Sequence, residues 1–136
     1  MPLLLIRHAR AGERDEWEGD DSERPLDERG LKRAEELVER LQPYPVEAIL
    51  SSQARRCVET VEPLARARGL EVEHRPELSE EQQAVDGVAL VRSLAGRDVV
   101  VCGHGGLEWA LPEPPRWKKG AVLVVGPALE VLDSVA

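Results

Sequence analysis

Two short apolar runs in this chain each lead into a histidine. Residues 2–6 precede Arg7-His8, and residues 98–102 reach His104 through a single glycine. Apolar runs of this length are typical of strands that are buried on both faces of a parallel sheet. In open α/β sheets, ligands bind in the crevice outside the carboxyl ends of the strands. The sequence therefore predicts that two of its three histidines face one shared space.

Strand-like and helix-like segments alternate along most of the chain. Apolar residues recur at helical spacing in three segments, most weakly in the last: residues 27–42, 53–68 and 80–94. Short apolar runs predict strands at residues 2–6, 46–50, 70–73 and 98–102. A short helix at residues 107–111 and a hairpin at residues 121–125 and 129–132 follow. This order predicts an α/β fold, a three-layer α/β/α sandwich whose mostly parallel sheet has an antiparallel edge strand.

The residues at the helix ends agree with this assignment. Pro43 and Pro45 follow the first helix and would stop it. Ser51-Ser52 are predicted to supply N-cap side chains for the second helix. Gly69 is predicted to be the C-terminal cap of that helix, because glycine adopts the left-handed conformation required there.

The chain is acidic, with a formal net charge of −8. Many of its carboxylates lie in residues 9–25, which predicts a solvated loop between the first strand and the first helix. Nonspecific binding to nucleic acid depends on a basic surface that neutralises phosphates. Nucleic acid is therefore not an expected partner.

The length and hydropathy of the chain favour one soluble domain, expected to span residues 1–136. No apolar stretch approaches the roughly 20 residues that cross a bilayer. The first apolar run is also too short for a signal peptide. We therefore expect a cytoplasmic location and no membrane association.

The cysteines and histidines do not form a metal-binding pattern. Cys57 and Cys102 lie in apolar surroundings without a C-x-x-C pair, which favours reduced, packed thiols. The three histidines are scattered, whereas a metal needs several ligands that converge in its preferred geometry. No metal and no cofactor are expected.

Arginines accompany both histidines in a pattern that suits phosphoryl transfer. Arg7 precedes His8, and Arg55-Arg56 follow the second predicted strand, so all lie at the same sheet edge as His104. A phosphoryl group in transit spreads negative charge over its oxygens, and the planar guanidinium group pairs with such oxygens bidentately. The glycine-rich turn at residues 103–106 adds backbone N–H groups and allows an anion to approach the main chain closely.

Three segments resemble the ordered signatures of the histidine phosphatase superfamily, which has the phosphoglycerate mutase-like fold. They are RHARAG at residues 7–12, SSQARRCVET at residues 51–60 and VVVCGHGG at residues 99–106. The segment RPLDERG at residues 24–30 is further similar to the small SixA-type phosphohistidine phosphatases. The resemblance extends over nearly the whole chain.

The resemblance implies a role for each matching residue. His8 would attack phosphorus and become a transient phosphohistidine, and Arg7 would hold the phosphoryl oxygens. The spacing from Ser52 to Thr60 selects Arg56 rather than Arg55 as the second clamp. His104 and Gly105 are further implied in phosphate binding, and Arg24 would border the site.

A general acid is the least defined part of the expected site. Relatives that act on phosphate esters protonate the leaving alkoxide with a carboxylic acid, often within an L-x-E sequence. Glu80 in Leu78-Ser79-Glu80 matches that spacing, with Glu77 and Glu81 as neighbouring candidates. Glu80 is equally well explained as a solvated residue at the start of the next helix, where negative charge is favoured.

The expected function is that of a metal-independent phosphatase. By resemblance, the substrate is a phosphorylated protein, such as a domain that carries phosphohistidine. A small phosphorylated metabolite is the alternative substrate, and the carboxylates near Glu80 favour it. A noncatalytic phosphate-binding module is the alternative from a different class, although binding alone would not need a nucleophile aimed at phosphorus.

Overall fold

A six-stranded mixed sheet lies at the centre of the computed structural model, which describes residues 2–136. In chain order its strands are β1 (Leu3–Arg7), β2 (Ala48–Ser51), β3 (Val72–His74), β4 (Val99–Gly103), β5 (Val122–Val125) and β6 (Val131–Val135). Across the sheet they lie in the order β3-β2-β4-β1-β5-β6. Strands β1 to β4 are mutually parallel, β5 is antiparallel to β1, and β6 is antiparallel to β5. The predicted α/β class with a mostly parallel sheet is confirmed.

Helices cover both faces of this sheet: α1 (Glu28–Arg40), α2 (Arg55–Arg68) and α3 (Val88–Ser93). Alternate residues of β1 point to opposite faces because successive side chains in a strand alternate. Leu4 therefore shares a buried cluster with Leu37 of α1, and Leu5 shares another with Val91 of α3. None of the helices in residues 2–136 combines the length and apolar character that crossing a bilayer would need.

The caps of α1 and α2 agree only in part with those predicted from the sequence. The Asp27 side chain accepts a hydrogen bond from the Gly30 N–H at 2.8 Å and caps α1. Gly69 has φ +67° at the end of α2, as its predicted capping role requires. The prediction that Ser51-Ser52 cap α2 is wrong, because Ala54 occupies the N-cap position without a side-chain bond.

The predicted helix over residues 80–94 is wrong in its first half. A π-helical turn, Gln83–Gly87, precedes the short α3, and a 3-10 helix, Pro76–Leu78, lies before it. The apolar spacing is misleading here, since the Val85 side chain is 74% exposed rather than packed. A Cβ atom on Gly87 would lie 2.9 Å from the Glu77 carbonyl oxygen, so this segment folds tightly against itself. The predicted helix at residues 107–111 is likewise a 3-10 helix, Leu107–Ala110.

The acidic loop at residues 9–25 lies across the carboxyl edge of the sheet, and we call it the acidic strap. It contains two 3-10 turns, Arg14–Glu16 and Asp21–Glu23. Arg24 stabilises the strap, because its buried Nη1 donates to the carbonyl oxygens of Ala11 at 2.9 Å and Gly12 at 3.2 Å. The strap is thus more ordered than a simple solvated loop.

Candidate active site

Parallel pairing brings three strand ends to one edge of the sheet. Arg7 lies opposite Gly103, and Ser51 lies opposite Cys102. The pairing continues one residue further, because the His8 N–H donates to the Gly103 carbonyl oxygen at 3.1 Å. As a result, the rings of His8 and His104 meet edge to face with centroids 5.5 Å apart.

His8 is buried and held in one orientation. Its Nδ1 lies 2.8 Å from the carbonyl oxygen of Ala9, which can only accept, so Nδ1 carries the proton and Nε2 keeps a free lone pair. Burial is the main cause that lowers the pKa of His8 from 6.5 to about 3, and the positive charges of Arg56, His104 and Arg7 add to the effect. His8 is therefore uncharged at neutral pH.

His104 is held through both its ring and its backbone. Its Nε2 lies 2.9 Å from the hydroxyl oxygen of Ser52, which also accepts from the Ala54 N–H at 3.3 Å. Its backbone N–H donates to Oε1 of Gln83 at 3.2 Å, and Gln83 Nε2 donates to the Gly105 carbonyl oxygen at 2.9 Å. The turn that carries His104 is thus braced by a side chain from the π-helical turn.

Arg56 is only 1% exposed although it is charged. Its Nη1 donates to the main-chain oxygen of Asp21 at 2.9 Å, and its Nη2 contacts the carboxylates of both Asp21 and Glu80. Arg55, by contrast, points outward and pairs with Glu59 at 3.0 Å. Of the two neighbouring arginines, Arg56 is the one that reaches the histidine pair.

Arg7 lies against the glycine-rich turn on the other side of the site. Its Nη1 donates to the carbonyl oxygen of Trp117 at 2.8 Å. A Cβ atom on Gly105 would lie 3.0 Å from the Cζ atom of Arg7, so the absence of a side chain makes room for the guanidinium group. Gly105 thus contributes to the site through the space that it leaves.

Two buried donors of these arginines have no acceptor within residues 2–136: the Nε–H groups of Arg7 and Arg56. Leaving a buried donor unpaired is unfavourable, typically by about 1–3 kcal/mol and more when it is charged. Such a group in a folded protein calls for an explanation, and an acceptor on a bound ligand is one explanation. Phosphoryl oxygens are acceptors of the required charge.

The carboxylate of Glu80 lies between Arg56 and the acidic strap. Arg14 Nη2 donates to its two oxygens at 2.9 and 3.1 Å, and Nδ1 of His104 lies 3.6 Å from Oε1. Partial burial alone would raise the pKa of Glu80, but the Arg14 hydrogen bond and the charges of His104 and Arg56 lower it below its usual value. Glu80 is therefore ionised at neutral pH.

The other two candidate acids lie outside this arrangement. Glu77 is engaged by Arg75, whose Nη2 donates to its Oε2 at 2.7 Å. Glu81 is exposed and lines only the larger of the two cavities described next. Arg24 lines the cavity of His8, but its described hydrogen bonds go to the strap itself.

Two adjoining cavities open at this edge, of about 250 and about 400 Å³. Glu80 and His104 line both of them. The smaller cavity holds His8 and is bordered by four cations: Arg7, Arg14, Arg24 and Lys119. The larger one holds Arg56 and is bordered by carboxylates of the strap. An anion is therefore accommodated best near His8, at the basic end.

Sequence reasoning missed four residues of the site: Arg14, Asp21, Ser52 and Gln83. Ser52 was assigned to helix capping, although its place in the SSQARR segment beside Arg56 was a usable signal. The others lie in the strap and the π-helical turn, where local sequence gives no sign that the chain returns to the site.

Comparisons with known proteins agree with the fold and the motifs. The model of the histidine phosphatase superfamily (branch 1) matches residues 3–88. The chain is 34% identical over 139 residues to the 8-oxo-(d)GTP phosphatase of Mycolicibacterium smegmatis, a match that covers 90% of this chain and 43% of that protein. The chain thus spans less than half the length of this curated relative.

Solved structures of related fold extend over most of the molecule. The protein histidine phosphatase SixA, complexed with tungstate, has a TM-score of 0.82 at 21% identity and covers 100% of this chain and 97% of its own. A mycobacterial glucosyl-3-phosphoglycerate phosphatase has a TM-score of 0.64 at 21% identity and covers 80% and 77%, respectively. At these identities the likeness concerns the fold alone.

Proposed function

This chain belongs to the histidine phosphatase superfamily, and we propose that it hydrolyses its substrate through a phosphohistidine formed on His8. The observation that carries the proposal is the buried, uncharged His8, whose Nε2 lone pair is free and whose cavity is bordered by four cations. A nucleophile must be unprotonated to attack, and the developing charge on the phosphoryl oxygens must meet fixed donors.

The reaction takes place in two displacements. The Nε2 lone pair of His8 forms a bond to phosphorus while the bond to the leaving group breaks and its electron pair departs with that group. Water then attacks phosphorus, the P–N bond breaks, and orthophosphate leaves with His8 restored. In both steps Arg7, Arg56 and His104 stabilise the phosphoryl oxygens, which is the main task of a protein in phosphoryl transfer.

Protein phosphohistidine is the substrate that we favour. Glu80, the carboxylate nearest to the histidine pair, is held ionised by Arg14 and Arg56 and so has no proton to give at neutral pH. An alkoxide leaving group would need that proton, whereas an imidazole leaving group needs it less. A phosphorylated histidine domain is therefore the expected partner, in agreement with the fold shared with the protein histidine phosphatase SixA.

A small phosphate ester is the second candidate, and the position of Glu80 favours it. A phosphoryl dianion placed beside this carboxylate would raise its pKa, because like charges disfavour ionisation. Glu80 could then take up a proton and deliver it to a leaving oxygen. The curated relative, described as an 8-oxo-(d)GTP phosphatase, points to nucleotides as the esters to examine first.

The central test replaces the nucleophile. His8→Ala is expected to lower phosphate release from a phosphorylated histidine domain and from an aryl phosphate by about a thousandfold or more. Wild-type protein quenched during turnover should carry phosphate on His8 in a peptide map. His74→Ala is the matched control, because this histidine is exposed at the end of β3 and lines neither of the two cavities of the site. Equal turnover by His8→Ala and wild type would refute the proposal.

A second substitution separates the two substrate classes. Glu80→Gln is expected to lower ester hydrolysis by about tenfold to a hundredfold and to affect phosphohistidine hydrolysis much less. Glu81→Gln removes the same charge from the neighbouring exposed position and serves as the control. Equal effects of Glu80→Gln on both reactions would remove the acid role.

A further inference from the structure

Asp21 of the acidic strap contacts Arg56 through two different groups. Its main-chain oxygen accepts from Nη1 at 2.9 Å, and its carboxylate oxygen Oδ2 lies 3.2 Å from Nη2. We infer that Asp21 is a positioning residue, which fixes the plane of the Arg56 guanidinium and with it the direction of the N–H donors that Asp21 and Glu80 leave uncommitted. The inference rests on the phosphatase function proposed above.

The geometry of arginine explains why contacts to two of its nitrogens determine the direction of all its N–H donors. The guanidinium group is planar and presents five N–H donors in a rigid arrangement. Fixing Nη1 and Nη2 therefore fixes where the Nε–H points. In Arg56 the two terminal nitrogens are bound by Asp21 and Glu80, whereas Nε–H has no acceptor within residues 2–136.

Asp21 is itself held from the opposite side. The buried Arg24 donates from Nε to Oδ1 of Asp21 at 3.1 Å, and Arg14 Nε lies 3.5 Å from the same oxygen. Slight burial alone would raise the pKa of Asp21, but Arg24, Arg56 and Arg14 together lower it. The carboxylate is thus an ionised link between the strap and the buried arginine.

A carboxylate this close to an anion site also repels the anion. If Asp21 orients Arg56 more than it opposes the substrate, its net effect on binding and turnover is favourable, which fixes the expected sign of the effect of a substitution. Removing the charge of Asp21 should weaken oxyanion binding and slow turnover. If Asp21 instead competed with the substrate for Arg56, removing its charge would strengthen oxyanion binding.

The test measures tungstate affinity by calorimetry, together with kcat and KM, in three variants. Asp21→Asn is expected to weaken tungstate binding several-fold and to lower kcat about tenfold, as expected for loss of one charge-assisted hydrogen bond. Asp21→Glu keeps the charge and the main-chain oxygen and should recover part of kcat. Glu18→Gln removes one charge from an exposed position of the strap and should match wild type.

Three outcomes would overturn the inference. The first two concern Asp21→Asn: wild-type tungstate affinity and kcat, or tungstate binding tighter than that of wild type. The third is that Asp21→Glu recovers none of the lost kcat when both variants melt at the wild-type temperature. The binding measurement needs no turnover. Absence of His8-dependent turnover in wild type would therefore refute the proposed function, while the tungstate affinities would still decide the role of Asp21.

Discussion

At the scale of single residues, His8 combines burial with a strongly altered protonation equilibrium. Its pKa lies near 3 in the folded protein, against 6.5 for an ordinary histidine, chiefly because burial penalises the charged ring. In the unfolded chain the ring is free to take up a proton as the pH falls below 6.5. The unfolded state then binds more protons than the folded state, so acid favours unfolding.

This difference predicts a pH-dependent loss of stability. Between pH 6.5 and about 3, His8 should lower the free energy of unfolding by up to about 1.4 kcal/mol per pH unit as the pH falls. Above pH 6.5 the contribution vanishes, because both states are then unprotonated. Urea unfolding of wild type and His8→Asn across this range isolates the effect, and parallel curves for the two proteins would contradict it.

At the scale of secondary structure, the π-helical turn Gln83–Gly87 has a defined task. It places the buried Gln83 side chain against the turn after β4, where it bonds the backbone of both His104 and Gly105. A π-helical turn inserts an extra residue into a helix and often marks a functional segment. Here the irregularity brings an amide to the residue that faces His8.

Removing that amide should loosen the His104 turn. Gln83→Ala is expected to lower the free energy of unfolding by about 1–3 kcal/mol, because one buried and one partly buried backbone group lose their partner. The kcat value should also fall, about tenfold if the loosened His104 loses one transition-state contact. Gln82→Ala, an exposed neighbour, is the control for both readouts. An unchanged kcat in a stable Gln83→Ala protein would show that the turn holds its own shape.

The elements show which kinds of sequence signal are dependable. Strands β1 and β4 and helices α1 and α2 were predicted because apolar spacing, prolines and Gly69 are local signals of strands, helices and their ends. The third helical segment is confirmed only in its second half, α3, because the shape of its first half depends on packing: Gly87 approaches Glu77 closely, and the apolar Val85 is left in solvent. Contacts made by distant parts of the chain are not encoded in a short window.

At the scale of the whole molecule, Arg33 joins the helical layer to the sheet. From α1 its Nε donates to the Gly120 carbonyl oxygen at 2.9 Å, and its Nη2 donates to that of Val135 at 3.2 Å. The Gly120 N–H in turn donates to the main-chain oxygens of Arg7 and His8, each at 3.0 Å. A helix on one face is thus connected, through the residue Gly120 before the last hairpin, to the strand end that carries the site.

Cutting this connection should destabilise the fold. Arg33→Ala is expected to lower the free energy of unfolding by about 1–3 kcal/mol, since two partly buried carbonyl groups lose a charged donor. Arg29→Ala removes an exposed arginine from the same helix and should change it by less than about 0.5 kcal/mol. Denaturant titration of both variants provides the measurement. Equal effects would show that charge on α1, rather than the carbonyl bonds, is responsible.

The same contrast between local and distant signals applies to the site. His8, Arg56 and His104 follow directly from strand ends and motif order, and the structure brings them to one edge. Asp21 and Gln83 could not be predicted, because Asp21 reaches the site through the path of the acidic strap and Gln83 through the π-helical turn. Their contribution depends on tertiary placement, which the local sequence of these two segments does not reveal.

The two unpaired Nε–H groups described above carry a kinetic consequence. Donors that would bind the oxygens of a phosphoryl group would also bind those of orthophosphate, which the proposed reaction releases. Product inhibition is therefore expected, with inorganic phosphate competing for the resting site. Such competition would make turnover depend on the ambient phosphate concentration, so turnover should rise when inorganic phosphate is scarce.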